Sequence, residues 1–239
     1  MIEKIENETQ FSSWEKRDIY SVRILALLKS YGLKYHFATF YRQVIEGKTV
    51  AVISKLDSDI TLSLSEGFNS DELIRFFCIT GFTSILCSDA FEFGARYDEG
   101  FVMSSDTKRE AQMPGAVIDE YPKLMDLYNF VDYDGQDFKA WYVDISHRVR
   151  HGTAKAYTLC IGDDIVSSGI LSAILDEYAV LTAVRTDDKF RHMGYGSALV
   201  NCICSDVKGT VYIMRDADLN ENFYKRLGFK NIGKWRIYK

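Results

Sequence analysis

The chain has 239 residues, of which 47% are hydrophobic, 14% aromatic and 26% charged. This composition indicates a packed globular protein of one large or two small domains and excludes a disordered or collagen-like chain. With 29 Lys and Arg against 34 Asp and Glu, the net charge is -5, the wrong sign for a protein whose main ligand is a nucleic acid or an anionic membrane. The five cysteines form no CxxC pair, and the polar start has no apolar signal region. We therefore expect reduced thiols and a cytoplasmic protein.

Both prolines, Pro114 and Pro122, fall in a stretch where the apolar periodicity lapses. Such a stretch is typical of a chain crossing between two packed units. We place the boundary near Met113, which predicts an α/β domain at 1–113 and a second one at 114–239.

The first half begins with an amphipathic helix and continues with alternating strand-like runs around tight polar turns. A second helix then has Asn69 or Ser70 as N-cap, Asp71 and Glu72 in its first turn and Gly81 as its stop signal. The predicted elements are a helix at 21–32, antiparallel strands at 35–44, 49–56 and 60–65, a helix at 69–81 and a buried strand at 82–87.

The second half shows the same alternation of patterns. Pro122 suits the first turn of a helix, and a hairpin of apolar runs precedes a strand and a glycine-bearing turn. The predicted elements are helices at 122–131 and 137–152, strands at 156–162, 165–175 and 179–186, a helix at 197–207, a strand at 210–216, a short helix at 220–228, and closing strands at 229–233 and 234–239.

The segment VRTDDKFRHMGYGSALV joins a predicted strand to a predicted helix through a turn with Arg191, Gly194 and Gly196. The first amide groups of a helix have no intrahelical partner, and the positive end of the helix dipole lies beside them. Glycine lets an anion approach the backbone, so the turn can bind a phosphate, with a pyrophosphate as the natural ligand. Glycines before a helix also occur in plain tight turns, and the turn alone leaves both interpretations open.

About thirty residues later stands FYKRLGF, a short amphipathic helix closed by Gly228. The pair RHMGYG and FYKRLGF, in this order around a strand, resembles the Gcn5-related N-acetyltransferase (GNAT) superfamily, with its Q/RxxGxG/A loop and later FYxKxGF segment. The resemblance covers residues 120 to 239. It implies a mixed, mostly antiparallel sheet flanked by helices, and acetyl-coenzyme A as the acyl donor.

The resemblance also implies roles for individual residues. The pyrophosphate would lie on the amides from His192 to Ser197, and the pantetheine arm beside the strand at 182–185. In the segment DADLNENFY the usual Ala or Asn before the tyrosine is displaced, which leaves the assignment of Asn220 or Asn222 to coenzyme contact open. The coenzyme-binding residues implied in this way are Thr182, Val184, Arg185, Arg191, His192, Met193, Gly194, Tyr195, Gly196, Ser197, Asn220, Asn222 and Phe223.

Two residues are candidates for catalysis. The family tyrosine that protonates the departing thiolate falls on Tyr224, whose alternative role is helix packing. Glu177 lies close to where some family members carry a glutamate base, although the strand alignment puts Tyr178 at that position and Glu177 also reads as a solvated turn acid. His147 and His151 read as helix-end charges, and we predict no metal site.

The first half resembles the same fold only in outline. Its SEGFNSDELI segment stands where a coenzyme loop is expected, and Asp71 with Glu72 would repel a pyrophosphate from that helix end. We therefore expect a degenerate domain that binds no coenzyme A and shapes the acceptor cleft, with a structural or dimerising role as the alternative.

The functional prediction is an N-acetyltransferase in which an acceptor amine attacks the bound thioester directly. The acceptor is a small-molecule or peptide amine of unknown identity, with no nucleic acid or membrane partner, and the sequence leaves room for a homodimer. The alternatives are a non-catalytic coenzyme A-binding or regulatory protein and, third, a scaffold.

Overall fold

The computed structural model describes residues 1–108, 113, 115–133, 135 and 137–239. Pro114, which marks the predicted connection, lies outside the described residues. The chain forms two compact units. Unit 1 comprises Met1–Val102, Met214–Ala217 and Ile232–Lys239, and unit 2 comprises Met103–Ile213 and Asp218–Asn231.

This division differs from the predicted one, because the units part after Val102 and the C-terminal residues belong to unit 1. Compactness in space does not decide where an independently folding domain ends, so the boundary near Met113 stays a prediction.

The elements of unit 1 largely follow the predicted order. They are β1 (Ile2–Lys4), α1 (Ile19–Tyr31), β2 (Ala38–Ile45), β3 (Lys48–Leu56), β4 (Asp59–Leu64), α2 (Ser70–Thr80), β5 (Ser84–Ser88) and the start of β6 (Tyr97–Ser105). The predicted helices, the antiparallel β2–β3–β4 strands and β5 are confirmed, with Asn69 as the N-cap of α2. A 3-10 turn at Glu8–Phe11, β1 and β6 were not predicted, since β1 is very short and β6 begins with charged residues.

The sheet of unit 1 is covered on both faces. Adjacent residues of β3 show this, because Val52 packs in the cluster with α1 while Ile53 packs in the cluster with α2. The strand order is β1-β2-β3-β4-β5, followed by the last strand of the chain, β12 (Lys230–Tyr238). In β12 the segment 235–238 runs antiparallel to β5, as one continuous strand where two short ones were predicted.

Unit 2 contains the elements predicted for the second half except the closing strands, most of which belong to unit 1, and it has one more strand. Its elements are β7 (Val117–Asp119), α3 (Leu124–Val131), α4 (Phe138–Arg150), β8 (Lys155–Ile161), β9 (Asp164–Leu175), β10 (Tyr178–Thr186), α5 (Tyr195–Asp206), the start of β11 (Val211–Asp216) and α6 (Glu221–Arg226). Pro122 precedes the N-cap residue Lys123, so it lies just outside the first turn of α3 rather than within it.

The sheet of unit 2 has the order β11-β10-β9-β8-β7. Its strands pair antiparallel except for β10 with β11, which confirms the mostly antiparallel sheet. Helices α5 and α6 share one cluster with Tyr157 and Leu171, whereas α3 and α4 share another with Ala156 and Ile170. These neighbours alternate along the strands, so the two helix pairs cover opposite faces. No helix among the described residues is both long and apolar enough to cross a membrane.

Candidate functional site

The turn between β10 and α5 forms a helix start without a side-chain cap. Gly194 is the N-cap residue, and no side chain of the described residues caps the helix there. The first intrahelical hydrogen bond runs from the amide of Ala198 to the carbonyl of Gly194, at 2.9 Å. The amides of residues 195–197 therefore have no partner within the helix, which is the arrangement that binds anions.

Both glycines of this turn are required by geometry. Gly194 has a φ of +91°, a left-handed value that side-chain-bearing residues rarely adopt. A Cβ atom on Gly196 would lie 2.7 Å from Oγ1 of Thr186 and 3.8 Å from the ring of Phe223, and one on Gly194 would lie 3.1 Å from Cε of Met113. The turn thus brings the end of β10, the start of α5 and α6 together.

Strand β10 is paired with β11 over only part of its length. It pairs with β11 only from Ala179 to Leu181, although it continues to Thr186. Residues 182–186 consequently present an edge without a ladder partner on the β11 side, among the described residues. A polar extended ligand can add hydrogen bonds along such an edge.

The same segment contains a β-bulge on its other side. Thr182 pairs with Ile170 and Arg185 with Ser168, so two residues of β10 face one residue of β9. Ala183, inside the bulge, has a φ of +53°. No glycine marks this site in the sequence, and the bulge was not predicted.

The two arginines assigned to the coenzyme have partners within the protein. Arg185 donates from Nη1 to the carbonyl of Val131 at 2.7 Å, at the end of α3, and its guanidinium lies 5.8 Å from the ring of Phe130. Arg191 forms an ion pair of 2.7 Å with Asp188 and remains half-exposed at the turn. The side chain of Arg185 is thus directed to α3, whereas that of Arg191 stays at the turn.

The remaining residues assigned to the coenzyme at the turn and at the start of α6 are solvent-accessible. His192 and Met193 are exposed, and Tyr195 contacts Phe190 edge to face with ring centroids 5.8 Å apart. Asn220 is the N-cap of α6 with a φ of +59°, and Asn222 is also exposed.

The ring of Tyr224 is buried, with 9% of the residue exposed. It contacts Phe223 and Phe229 edge to face, with centroid distances of 5.0 and 5.5 Å. Burial, and to a smaller extent the nearby thiol of Cys204, raises the pKa of Tyr224 to about 12. The phenol therefore stays protonated throughout the physiological range.

The hydroxyl of Tyr224 makes no hydrogen bond to any of the described residues. A phenol whose ring is held by packing can donate a hydrogen bond to a ligand at low entropic cost.

Glu177 lies apart from this group of residues. It precedes β10, and its backbone and side chain lie against Gly209, where an added Cβ would be 2.6 Å from the Glu177 carbonyl. The nine residue steps from Glu177 to Thr186 span roughly 30 Å of extended chain. The structure therefore places Glu177 at the opposite end of the strand from the turn, and its role as a base stays a prediction.

The corresponding helix start in unit 1, that of α2, is occupied by side chains of the protein. The side chain of Asn69 accepts from the Glu72 amide at 3.0 Å, and the Glu72 carboxylate accepts from Gln43 at 2.8 Å and from the Ile2 amide at 3.0 Å. Burial opposes ionisation of Glu72, but the hydrogen bonds from Gln43 and from the terminal ammonium lower the pKa of this carboxyl. A negative charge already occupies this helix end.

Sequence reasoning missed three hydroxyl side chains near the turn. Ser167 and Ser168 on β9 are fully buried, and Ser167 lies 3.0 Å from Oγ1 of Thr186. Nothing in the run IVSSGILSAIL distinguishes these serines from solvent-facing strand residues.

The site thus combines an uncapped helix start with a partly unpaired, bulged strand of a mostly antiparallel sheet. Residues 118–229 match the model of the acetyltransferase (GNAT) family. A comparison with curated protein sequences gives no significant match.

Solved structures are similar over nearly the whole chain. A Drosophila protein has a TM-score of 0.71 at 12% identity, covering 99% of this chain and 97% of that one. A GCN5-related N-acetyltransferase from Kribbella flavida has a TM-score of 0.59 at 14% identity, with coverage of 92% and 93%. A tandem GNAT protein from the clavulanic acid biosynthesis pathway has a TM-score of 0.56 at 11% identity, with coverage of 100% and 98%. The chain thus has the GNAT fold, with a second GNAT-like N-terminal half.

Proposed function

We propose that the chain is an N-acetyltransferase that uses acetyl-coenzyme A and an amine acceptor, with its site in unit 2. The observation that carries this proposal is the uncapped start of α5 at the end of the unpaired edge of β10. A pyrophosphate suits the first feature, and an extended arm with amide groups suits the second. The residues present therefore fit this coenzyme.

The amides of residues 195–197 hold the pyrophosphate, and the absence of a side chain on Gly196 keeps α5 close to Thr186. The overall charge of -5 does not attract an anion, so the binding free energy comes from these local dipoles. The backbone of residues 182–185 orients the arm, whereas the Arg185 side chain stabilises the end of α3. Bound acetyl-coenzyme A supplies a thioester carbonyl that the acceptor amine attacks.

Tyr224 donates a hydrogen bond to the sulfur on which negative charge develops. Burial raises the pKa of Tyr224 to about 12, which makes complete transfer of its proton to the departing thiolate less favourable. A hydrogen bond to the developing charge does not require that transfer and still lowers the barrier. The full general acid implied by the family pattern is the stronger form of the same role.

The acceptor is the amine of a small molecule or peptide. It must lose a proton before attack, with Glu177 as the candidate base and a water chain as the alternative. The uncapped start of α5 also suits a second candidate function, a non-catalytic coenzyme A-binding protein, which would keep the turn but release no thiol.

Two measurements test the proposal. Titration calorimetry with coenzyme A should give a saturable site, and thiol release from acetyl-coenzyme A should accelerate with at least one member of a panel of small amines and peptides. Binding without acceleration would favour the non-catalytic function, and no binding would refute both.

A further inference from the structure

The bulge of β10 is held by a pair of adjacent serines, Ser167 and Ser168, which we call the serine pair. Ser168 donates to the carbonyl of Ala183 at 3.0 Å, and Ser167 donates to the carbonyl of Arg185 at 2.9 Å. Both serines are fully buried. Because successive side chains of a strand point to opposite faces, the serine pair holds the bulged segment from both faces of the sheet.

This arrangement engages the backbone carbonyls on both sides of Val184. Ser168 binds the carbonyl of Ala183 and Ser167 that of Arg185, in the segment of β10 that has no ladder partner on the β11 side among the described residues. The left-handed conformation of Ala183 would not persist without such support, because a residue with a Cβ rarely adopts it.

We infer that the serine pair consists of positioning residues that preform the β10 edge for the acyl donor. The inference rests on the proposed function, because it assigns the ligand of this edge as the amide-bearing arm of acetyl-coenzyme A. Neither serine touches the ligand. They act through the bulge, which they fix before binding, so that the backbone around Val184 needs no rearrangement when the arm docks.

The same strand provides a matched control for a merely structural role. Ser172 of β9 also donates to a carbonyl of β10, that of Val180, at 3.3 Å. Val180, however, lies in the part of β10 that pairs with β11, away from the unpaired edge. Removal of the Ser172 hydroxyl should therefore cost stability without changing the ligand edge.

The test compares S167A, S168A and S172A with the wild-type protein by titration calorimetry with coenzyme A and by thermal unfolding. We expect S167A and S168A to weaken coenzyme A binding about tenfold each, since a buried carbonyl loses its partner and the bulge relaxes. S172A should bind coenzyme A within twofold of the wild type. Amide hydrogen exchange of residues 182–185 without ligand should be faster in S168A than in S172A.

A second pair of variants covers the case in which an alanine variant folds poorly. S168T and S168V have the same shape and differ only in the hydroxyl, so S168T should bind coenzyme A several-fold more tightly than S168V. If the wild type binds coenzyme A and both S168A and S168V bind it as tightly as the wild type does, the inference is overturned while the proposed function stands. If the wild type binds none, both are refuted.

Discussion

The Tyr224→Phe variant separates a chemical role of Tyr224 from a packing role. The phenylalanine ring keeps the edge-to-face contacts with Phe223 and Phe229. The hydroxyl makes no hydrogen bond to the described residues, so its removal should change the free energy of unfolding by less than about 0.5 kcal/mol. The loss of one donor to a developing charge in an active site costs about 2.7–4 kcal/mol, or 10²–10³ in turnover.

We therefore expect Tyr224→Phe to lower kcat by roughly 10²–10³ while the Kd of acetyl-coenzyme A stays within twofold. The assay is thiol release with an amine that the wild type accepts, combined with calorimetry. Equal kcat values for wild type and Tyr224→Phe would refute the hydrogen-bond role and leave Tyr224 a packing residue.

Three further predictions concern the binding turn, the C-terminal strand and the pH dependence of stability. Calorimetry should find one coenzyme A site per chain, and two sites would contradict the expectation that unit 1 binds no coenzyme A. Gly196→Val should lose this site, because a side chain at position 196 collides with Thr186. A fragment of residues 115–239 should be poorly soluble, since its segment 232–239 belongs to unit 1 and loses its β5 partner; a monomeric, cooperatively unfolding fragment would contradict this. Burial raises the folded-state pKa of Tyr224 from 10 to about 12, so the stability linked to this shift is fully present below pH 10 and is lost as the pH rises towards 12. Chemical unfolding between pH 9 and pH 12 should show a smaller decline in stability for Tyr224→Phe, and identical declines would refute the assignment.

Local patterns in the sequence determined most of the helices and strands. Helix α1 was predicted from apolar spacing and its closing glycine, and α2 also from its N-cap, all of which act over one or two turns. The glycine turn before α5 was predicted for the same reason, because Gly194, Gly196 and the start of α5 are adjacent in the chain.

Only the tertiary structure decided the placement of β12, the bulge and the direction of Arg185. Segment 235–238 pairs with β5, about 150 residues earlier, and such pairing depends on which edge is free once the sheet has formed. The bulge at Ala183 arises from the register between β9 and β10, which a sequence without a glycine at that position does not mark. The side chain of Arg185 is directed to the end of α3, where it contacts the carbonyl of Val131 and the ring of Phe130. Periodicity thus fixed the local elements, whereas long-range pairing fixed the edge on which the proposed chemistry depends.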